Sequence, residues 1–589
     1  MTRKFSPYIR ISVALLLISF VSNFAPHVFS FFSQNGDSAL LLTFFGIALI
    51  FALSFTVFYL SLGTPIPSFV MAIFFGIAAQ PLFGPIVHNH TILGALVSFG
   101  ATLILFGGGL ETPFGNFRKL ALKIASLSFL GLFLTAFLFS LVVLFIGNLF
   151  QLNIPIVVAV LLGAVLASTD PAAIIPILKQ LRFFNRDTKD IIVSESAMTD
   201  VTGTLLTIAF ISLIAVGGTL MSVGDWYQAL FTAETGMMLA KQILYGVLFG
   251  VIGYFLLVGL ARLKKKDERE SGADTAYFFF VPVIVFTITM AFGGSGYLAV
   301  FVAGLLFMMS DHLHDTERFF NQSIDGFLKP MIFLLLGALV DIQNLITYAA
   351  VGILSALVFM FVIRPLAVFL TLGPFSFIRK GRLTWKDLLF ISFIRETGAI
   401  PAVLLVTIVS MGFSNLDGLV AIGMWVILAT LIIQPPLTPL MARLLKVGTE
   451  ITDEEAIRLN GHGESFVILG SRGHSYLERL PRVEAWAEQH NVNRIMLLHC
   501  LEDHYTSELA ARMGEEAEEE FKKINAEREK ESKKPFQFSY ISRKGFLQRN
   551  IEDIAKTHSN LALAFVGRKV LDYRLSEVRQ LSVPLYFLD

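Results

Sequence analysis

The chain has 589 residues, 55% hydrophobic and only 15% charged, with mean hydropathy +0.69 and a formal net charge of +1. That balance excludes a soluble globular protein, in which about a quarter of residues are charged. The net charge by itself argues neither for nor against nucleic acid, and no nucleic-acid partner is expected. The single cysteine, Cys500, excludes an internal disulfide and reads as an inert core thiol.

In chain order, the start "MTRKFSPYIRISVALLLISFVSNF" has a basic end and a long apolar run without a small-residue cleavage site. It reads as a retained first span rather than a signal peptide. Fourteen apolar segments follow from the hydropathy, roughly 8–32, 38–62, 66–87, 91–111, 121–149, 153–181, 189–217, 236–262, 274–291, 295–310, 327–342, 347–375, 387–413 and 417–445. With the N-terminus inside, the inner loops contain Arg118, Lys119, Arg182, Arg186, "RLKKKDER", Arg318 and "RKGRLTWK". The outer loops "SQNGD", "VHNH", "GNLFQ", "GGTLMSVGDWYQ" and "SNLD" contain no Lys or Arg. This positive-inside split predicts a multi-pass protein of the plasma (inner) membrane with both termini cytoplasmic.

Past the membrane region, residues 1–446, the composition changes. Residues 447–464 read as a polar linker and 465–589 as a cytosolic, regulatory domain. Strand-like runs at 465–470, 494–499, 536–541, 561–567 and 583–588 alternate with helical patterns, including a long charged helix in "SELAARMGEEAEEEFKKINAEREKESKK". The alternation predicts a small α/β domain with a parallel sheet. "GSRGHS" follows the first strand; Gly470 and Gly473 give a weak nucleotide signal, and a plain strand-to-helix turn is the stronger reading.

Ionisable residues inside an apolar span are costly and mark ion pathways. At one rise per residue, Asp170 of "LASTDPAAII" falls roughly 0.6 of the way along the sixth segment from outside, and Asp200 of "SESAMTD" roughly 0.4 along the seventh from inside. These are the same level. Arg364 of "FVIRPLAV", and Arg395 and Glu396 of "FIRETGAIPA", fall in that layer too. Ser196 and Asp200 are i and i+4 and share a helix face, with Glu195 and Thr199 on another. Asp200 with Ser196 is therefore set toward an ion path and Glu195 toward Arg364, a structural ion pair. Pro171, Gly398 and Pro401 predict two broken helices whose freed carbonyls and hydroxyls, Thr169 included, suit a hard monovalent cation. A helix-break cap is the alternative role for Asp170. His88 and His90 read as solvated, Glu111 and Asp341 as interfacial, and Lys329 as snorkelling.

At these residues the chain resembles the monovalent cation:proton antiporters of the sodium/proton exchanger type, over about residues 38–445. "LGAVLASTDPAA" is similar to that family's Thr-Asp-Pro element, and "SESAMTD" to its Glu-Ser-x-x-Asn-Asp element, with Thr199 where the family usually has Asn. "FVIRPL" and "RETGAIP" resemble its two later arginine-bearing helices. The resemblance implies a polytopic α-helical fold of two six-helix inverted repeats with crossed broken helices, dimerising through early helices. It implies Asp200 as the shared ion and proton carboxylate, Asp170, Thr169, Ser196 and Thr199 around it, Glu195–Arg364 as a bridge, and Arg395 and Glu396 in support. Segments 2–7 and 9–14 would be the repeats, with the first added and the eighth joining them.

Exchange needs one site that holds a proton or a cation, never both. Burial pushes a carboxyl group toward neutral titration, so a proton and Na⁺ or K⁺ can compete there. The expected function is electroneutral Na⁺/H⁺ antiport serving pH homeostasis, with K⁺/H⁺ antiport as the alternative and no cofactor beyond the transported ions. A channel needs a continuous multi-site pore, and a sensor needs far fewer spans. No nucleophile–base arrangement or complete phosphate loop points to an enzyme.

Overall fold

The computed structural model describes residues 2–589 apart from 35–37, 62–63, 65–66, 113, 170–177, 179–180, 184, 217–220, 267–275, 308–319, 322, 377–382, 414–415, 417, 451–465, 472–475, 491, 502–506, 531–532, 545–546, 558–560, 567–584 and 589. Asp170, Pro171 and Gly473 lie outside the described residues. The chain forms two compact units, Met1–Glu450 and Ile451–Asp589.

The first unit is a helical bundle. Each of the fourteen expected segments contains helix, but they are not fourteen uninterrupted spans. Among the described residues, seven helices are long and apolar enough to cross a membrane, or nine if each of two bent pairs is one span. The first segment bends by 53° between Tyr8–Ser22 and Ala25–Phe31, and the third by 88° between Ser68–Ala78 and Gln80–Val87. Pro26 and Pro81 stand just after these bends, each in the first turn of the second helix. Proline starts a helix readily but cannot donate the bond that would continue one.

Helices cross closely where glycines remove the side chain. A Cβ on Gly76 would strike the Leu334 carbonyl, and one on Gly337 the Ile73 carbonyl. Gly109 and Gly304 stand in the same reciprocal relation to the Phe301 and Phe106 carbonyls. Small residues at such crossings let backbones approach where lipid supplies no hydrophobic drive. One-turn π-helices interrupt the bundle at Ser126–Gly131, Ile324–Leu328 and Phe359–Ile363. Such bulges insert a residue and re-aim the side chains that follow.

Two minor expectations are sharpened. Lys329 is only 10% exposed and reaches back one turn to pair at 2.8 Å with Asp325, which is 53% exposed. Asp341 caps the helix Ile342–Thr347, accepting the Gln343 amide at 3.1 Å. At the end of the unit, strand β2 (Gly448–Glu450) pairs antiparallel with β1 (Leu181–Phe183), which lies between the sixth and seventh segments. Residues 448–450, read from sequence as the start of a linker, are thus fixed to the first unit.

The second unit is a five-stranded parallel sheet, β3 (Phe466–Ser471), β4 (Arg494–Leu501), β5 (Gln537–Lys544), β6 (Leu561–Val566) and β7 (Leu585–Phe587), in the order β5-β4-β3-β6-β7. Central β3 is buried at every residue, as a strand covered on both faces must be. Helices Tyr476–Gln489, Ser507–Lys530 and Leu547–Thr557 connect the strands. Gly470 has a packing reason: a Cβ there would lie 2.9 Å from Leu547 and 3.1 Å from Val566. Cys500 is buried and its Sγ accepts Asn550 Nδ2 at 3.4 Å.

Candidate functional site

The helix Ile156–Leu166 is apolar and buried almost throughout, and it stops in the middle of its segment. Residues 167–169 are irregular: the Ala167 amide still closes the last helical bond, on the Gly163 carbonyl at 3.1 Å, and the regular helix ends there. The helix Arg186–Ala215 runs past this break and presents polar side chains to it. Ser196 Oγ donates to Thr169 O at 2.7 Å. Thr199 Oγ1 accepts the Thr169 amide at 3.2 Å and lies 2.7 Å from Thr169 Oγ1. Ser168 Oγ donates to Asp200 Oδ1 at 2.6 Å. Ser168, Thr169, Ser196 and Thr199 are buried and Asp200 half-buried.

On this helix Ser196 holds the Thr169 carbonyl, and Asp200 accepts the Ser168 hydroxyl from the break. Periodicity within one helix cannot reveal a partner supplied by the neighbouring break. The available signal was a polar residue directly before Thr169 in an apolar run.

Glu195 lies on the other face, where Arg364 Nη2 donates to Glu195 Oε2 at 2.6 Å. The side chains are 3% and 2% exposed. The contact is single-point: Glu195 Oε1 and Arg364 Nε have no hydrogen-bond partner among the described residues. π-Helical turns adjoin the pair from two sides. Phe359–Ile363 ends immediately before Arg364, and Ser128, within Ser126–Gly131, donates to Glu195 O at 3.4 Å and accepts Thr202 Oγ1 at 3.0 Å.

The thirteenth segment breaks as well, over residues 394–398 between helices Trp385–Phe393 and Ala399–Ser410. Pro401 does not cause the break, since it sits in the first turn of the second helix, where proline is tolerated. Arg395 and Glu396, in the break, are each 1% exposed. The Arg395 guanidinium donates to Leu166 O and Ala167 O, at the end of the helix before the first break, and to Thr135 Oγ1 at 3.4 Å. It also stacks over Phe359, 4.5 Å from the ring centroid. A cation at a helix C-terminus is favoured by the dipole as well as by the hydrogen bonds. The two breaks are therefore joined by one arginine, and Thr169, Ser196, Thr199, Asp200, Glu195, Arg364 and Arg395 form one connected region.

An apolar helical bundle in which two broken segments meet beside buried charges is the architecture of secondary transporters with discontinuous helices. The chain belongs to the family described as "Sodium/hydrogen exchanger, transmembrane", which matches residues 47–444 and leaves the C-terminal α/β unit outside. It is similar to proteins named K(+)/H(+) antiporter NhaP from Alkalimonas amylolytica (29% identity; 62% of this chain, 60% of the relative) and K(+)/H(+) antiporter NhaP2 from Shewanella oneidensis (28%; 66% and 63%). A third relative, named Probable Na(+)/H(+) antiporter 2, from Methanocaldococcus jannaschii, is 28% identical over 46% of this chain and 63% of its own. The chain thus spans about three fifths of these relatives' length. Among solved structures, the sodium proton antiporter MjNhaP1 of Methanocaldococcus jannaschii shares the fold, with TM-score 0.53, 20% identity, and 67% of this chain covering 99% of that one.

Proposed function

We propose that the protein exchanges a monovalent cation for H⁺ across a membrane by alternating access, with Asp200 as the carboxylate that both ions share. The observation that carries this is Asp200 beside the first break, held by Ser168 and flanked by the Thr169–Thr199 hydroxyl pair. Oxygen donors of this kind suit a hard cation that has shed water. Asp170 and Thr169 complete the site in this reading, and Glu195–Arg364 braces it. Na⁺ is the proposed cation. K⁺ is the second reading, favoured by the relatives named K(+)/H(+) antiporters. Proteoliposome exchange with Na⁺, K⁺ and Li⁺ gradients separates the two.

We further infer two inverted repeats, segments 2–7 and 9–14. Three mated features support this. The Gly76–Gly337 crossing joins segments 3 and 11, and Gly109–Gly304 joins 4 and 10. π-Helical turns occur in segments 5 and 12. Broken segments 6 and 13 each bond a threonine on the helix that follows. The protein is a homodimer in this reading, in the plasma membrane, with both termini cytoplasmic.

Stoichiometry follows from Thr199. Moving two protons per cation needs a second titratable group at the site. Thr199 cannot titrate, Glu195 is held by Arg364, and Asp170 in its helix-break cap role stays charged throughout, so exchange is expected to be one cation for one proton and indifferent to voltage. A K⁺–valinomycin diffusion potential imposed on proteoliposomes with Na⁺ as substrate checks this. A voltage-dependent equilibrium of the Na⁺ and H⁺ gradients contradicts it. If K⁺ is a substrate, another ion must clamp the potential.

The soluble unit is regulatory in this proposal; the chain that leads to it leaves the first unit at β2, which is hydrogen-bonded to β1 between the two helices that meet at Asp200. Burial pushes Glu484 up to about 7, with Arg528 lowering it and Glu527, Glu520 and Glu488 raising it. A carboxyl raised by folding binds its proton more tightly in the folded state. Its contribution therefore favours the folded unit at acid pH and fades as pH rises from the ordinary carboxyl range to about 7. Deleting residues from 451 onward should leave transport intact and alter its pH dependence. Loss of all transport in a folded truncation would make the unit structural instead.

A further inference from the structure

The last helix of the first unit, Leu419–Leu445, contributes nothing to the site proposed above, yet it grips the second break at both ends. Thr430 Oγ1 accepts the Thr397 amide at 3.3 Å and lies 2.6 Å from Thr397 Oγ1. One turn on, Gln434 Nε2 donates to Phe393 O at 2.7 Å. Positions i and i+4 share a helix face, so one face fixes the two residues that bracket Ile394, Arg395 and Glu396. Thr397, Thr430 and Gln434 are all fully buried. Buried hydroxyls and amides cost stability unless bonded, so three of them converging on one irregular segment call for an account.

The threonine pairing repeats that of the first break, without its carboxylate. Thr199 meets Thr169 as Thr430 meets Thr397, amide to hydroxyl and hydroxyl to hydroxyl. Each of the two helical threonines also bonds the carbonyl three residues back, at 2.9 Å and 3.0 Å. The residue after Thr199 is Asp200, whereas the residue after Thr430 is Leu431. The second cluster therefore has no carboxylate at the place of Asp200; the carboxylate near it is Glu396, in the segment it holds. What it holds is the short segment carrying Arg395, whose guanidinium bonds Leu166 O and Ala167 O, next to Ser168 on Asp200.

We propose that Thr430 and Gln434 are positioning residues for the exchange site, acting through Thr397 and Phe393 to seat Arg395 on the first break and so keep Ser168 on Asp200. This rests on Asp200 being the transport carboxylate. The clasp sets cation affinity at a distance and does not touch the cation.

The experiment is cation-dependent exchange in proteoliposomes, titrating Na⁺ and K⁺ separately, with thermal stability measured alongside. Thr430→Val removes the hydroxyl at nearly constant shape and should raise the cation KM about fivefold, the equivalent of one hydrogen bond, with Vmax little changed and Tm somewhat lowered, because the buried Thr397 amide and hydroxyl lose their partner. Thr430→Ser should restore the wild-type KM. In a Ser168→Ala background, Thr430→Val should add little, because groups acting in series are not additive. Thr397→Val removes the same hydroxyl pair from the other side and carries the test if Thr430→Val does not fold. An unchanged KM with a lowered Tm, a serine that fails to rescue, or full additivity with Ser168→Ala overturns the clasp. Wild-type protein that exchanges no cation for protons overturns the transport reading instead.

Discussion

Asp200→Asn abolishes cation-driven proton movement while leaving a folded, membrane-inserted protein. Asparagine keeps the size of aspartate and can still accept the Ser168 hydroxyl, which donates to Asp200 Oδ1 at 2.6 Å. The neighbourhood of the first break, including the Thr169–Thr199 pair, is therefore expected to survive. What is lost is the ability to carry a proton on one half-cycle and a negative charge on the other. Competition between a cation and a proton requires a group that can exist in both states, and an amide has only one. The check is fluorescence dequenching in vesicles on addition of Na⁺ or K⁺ with an imposed pH gradient. Dissipation of that gradient by the variant at the wild-type rate would remove Asp200 from the mechanism.

The second large effect is on stability. Removing either Glu195 or Arg364 alone strands a buried charge, and each single variant is expected to lose about 3–5 kcal/mol. The pair is 2.6 Å apart, with side chains 3% and 2% exposed, so water cannot replace the missing partner. Removing both leaves no charge behind and should cost less than either single change. A double-mutant cycle of Glu195→Gln and Arg364→Met, read as thermal unfolding in detergent, measures the coupling. Additive losses would mean that the two groups do not support each other.

These residues also show how far the sequence could be read. Asp200, Thr199 and Ser196 stood out because polar groups are rare in apolar spans and because the helical repeat sorts them into faces. Arg364 fell at the depth of Asp200 by counting residues at constant rise and Glu195 was turned toward it by helical phase, and the structure brings their side chains together. The parallel sheet of the second unit was legible because apolar runs of strand length alternate with helical patterns.

Other features left no such trace. Counting assumes straight helices, so it could not see the 88° bend between Ser68–Ala78 and Gln80–Val87. Pro81 offered the hint, but proline in an apolar segment also occurs in unbroken helix: Pro435, Pro436 and Pro439 all lie within Leu419–Leu445. The π-helical turns depend on how neighbouring helices pack, which hydropathy does not encode. Ser168, Thr397, Thr430 and Gln434 act across elements, each bonding a residue on another segment. A helical-phase argument confined to one segment passes over them. The i, i+4 spacing of Thr430 and Gln434 in an otherwise apolar helix was the available clue.

The central claim is that one carboxylate site holds a proton or a cation in turn. The most direct measurement is the initial rate of exchange in proteoliposomes as a function of cation concentration at a series of pH values. Because the cation needs the deprotonated site, acid should raise its apparent KM, by about tenfold per pH unit once the site is mostly protonated, and saturating cation should restore the rate. A cation KM that stays fixed while pH alters only the maximal rate would contradict a shared site, as would a cation flux that proceeds with no proton counterflux.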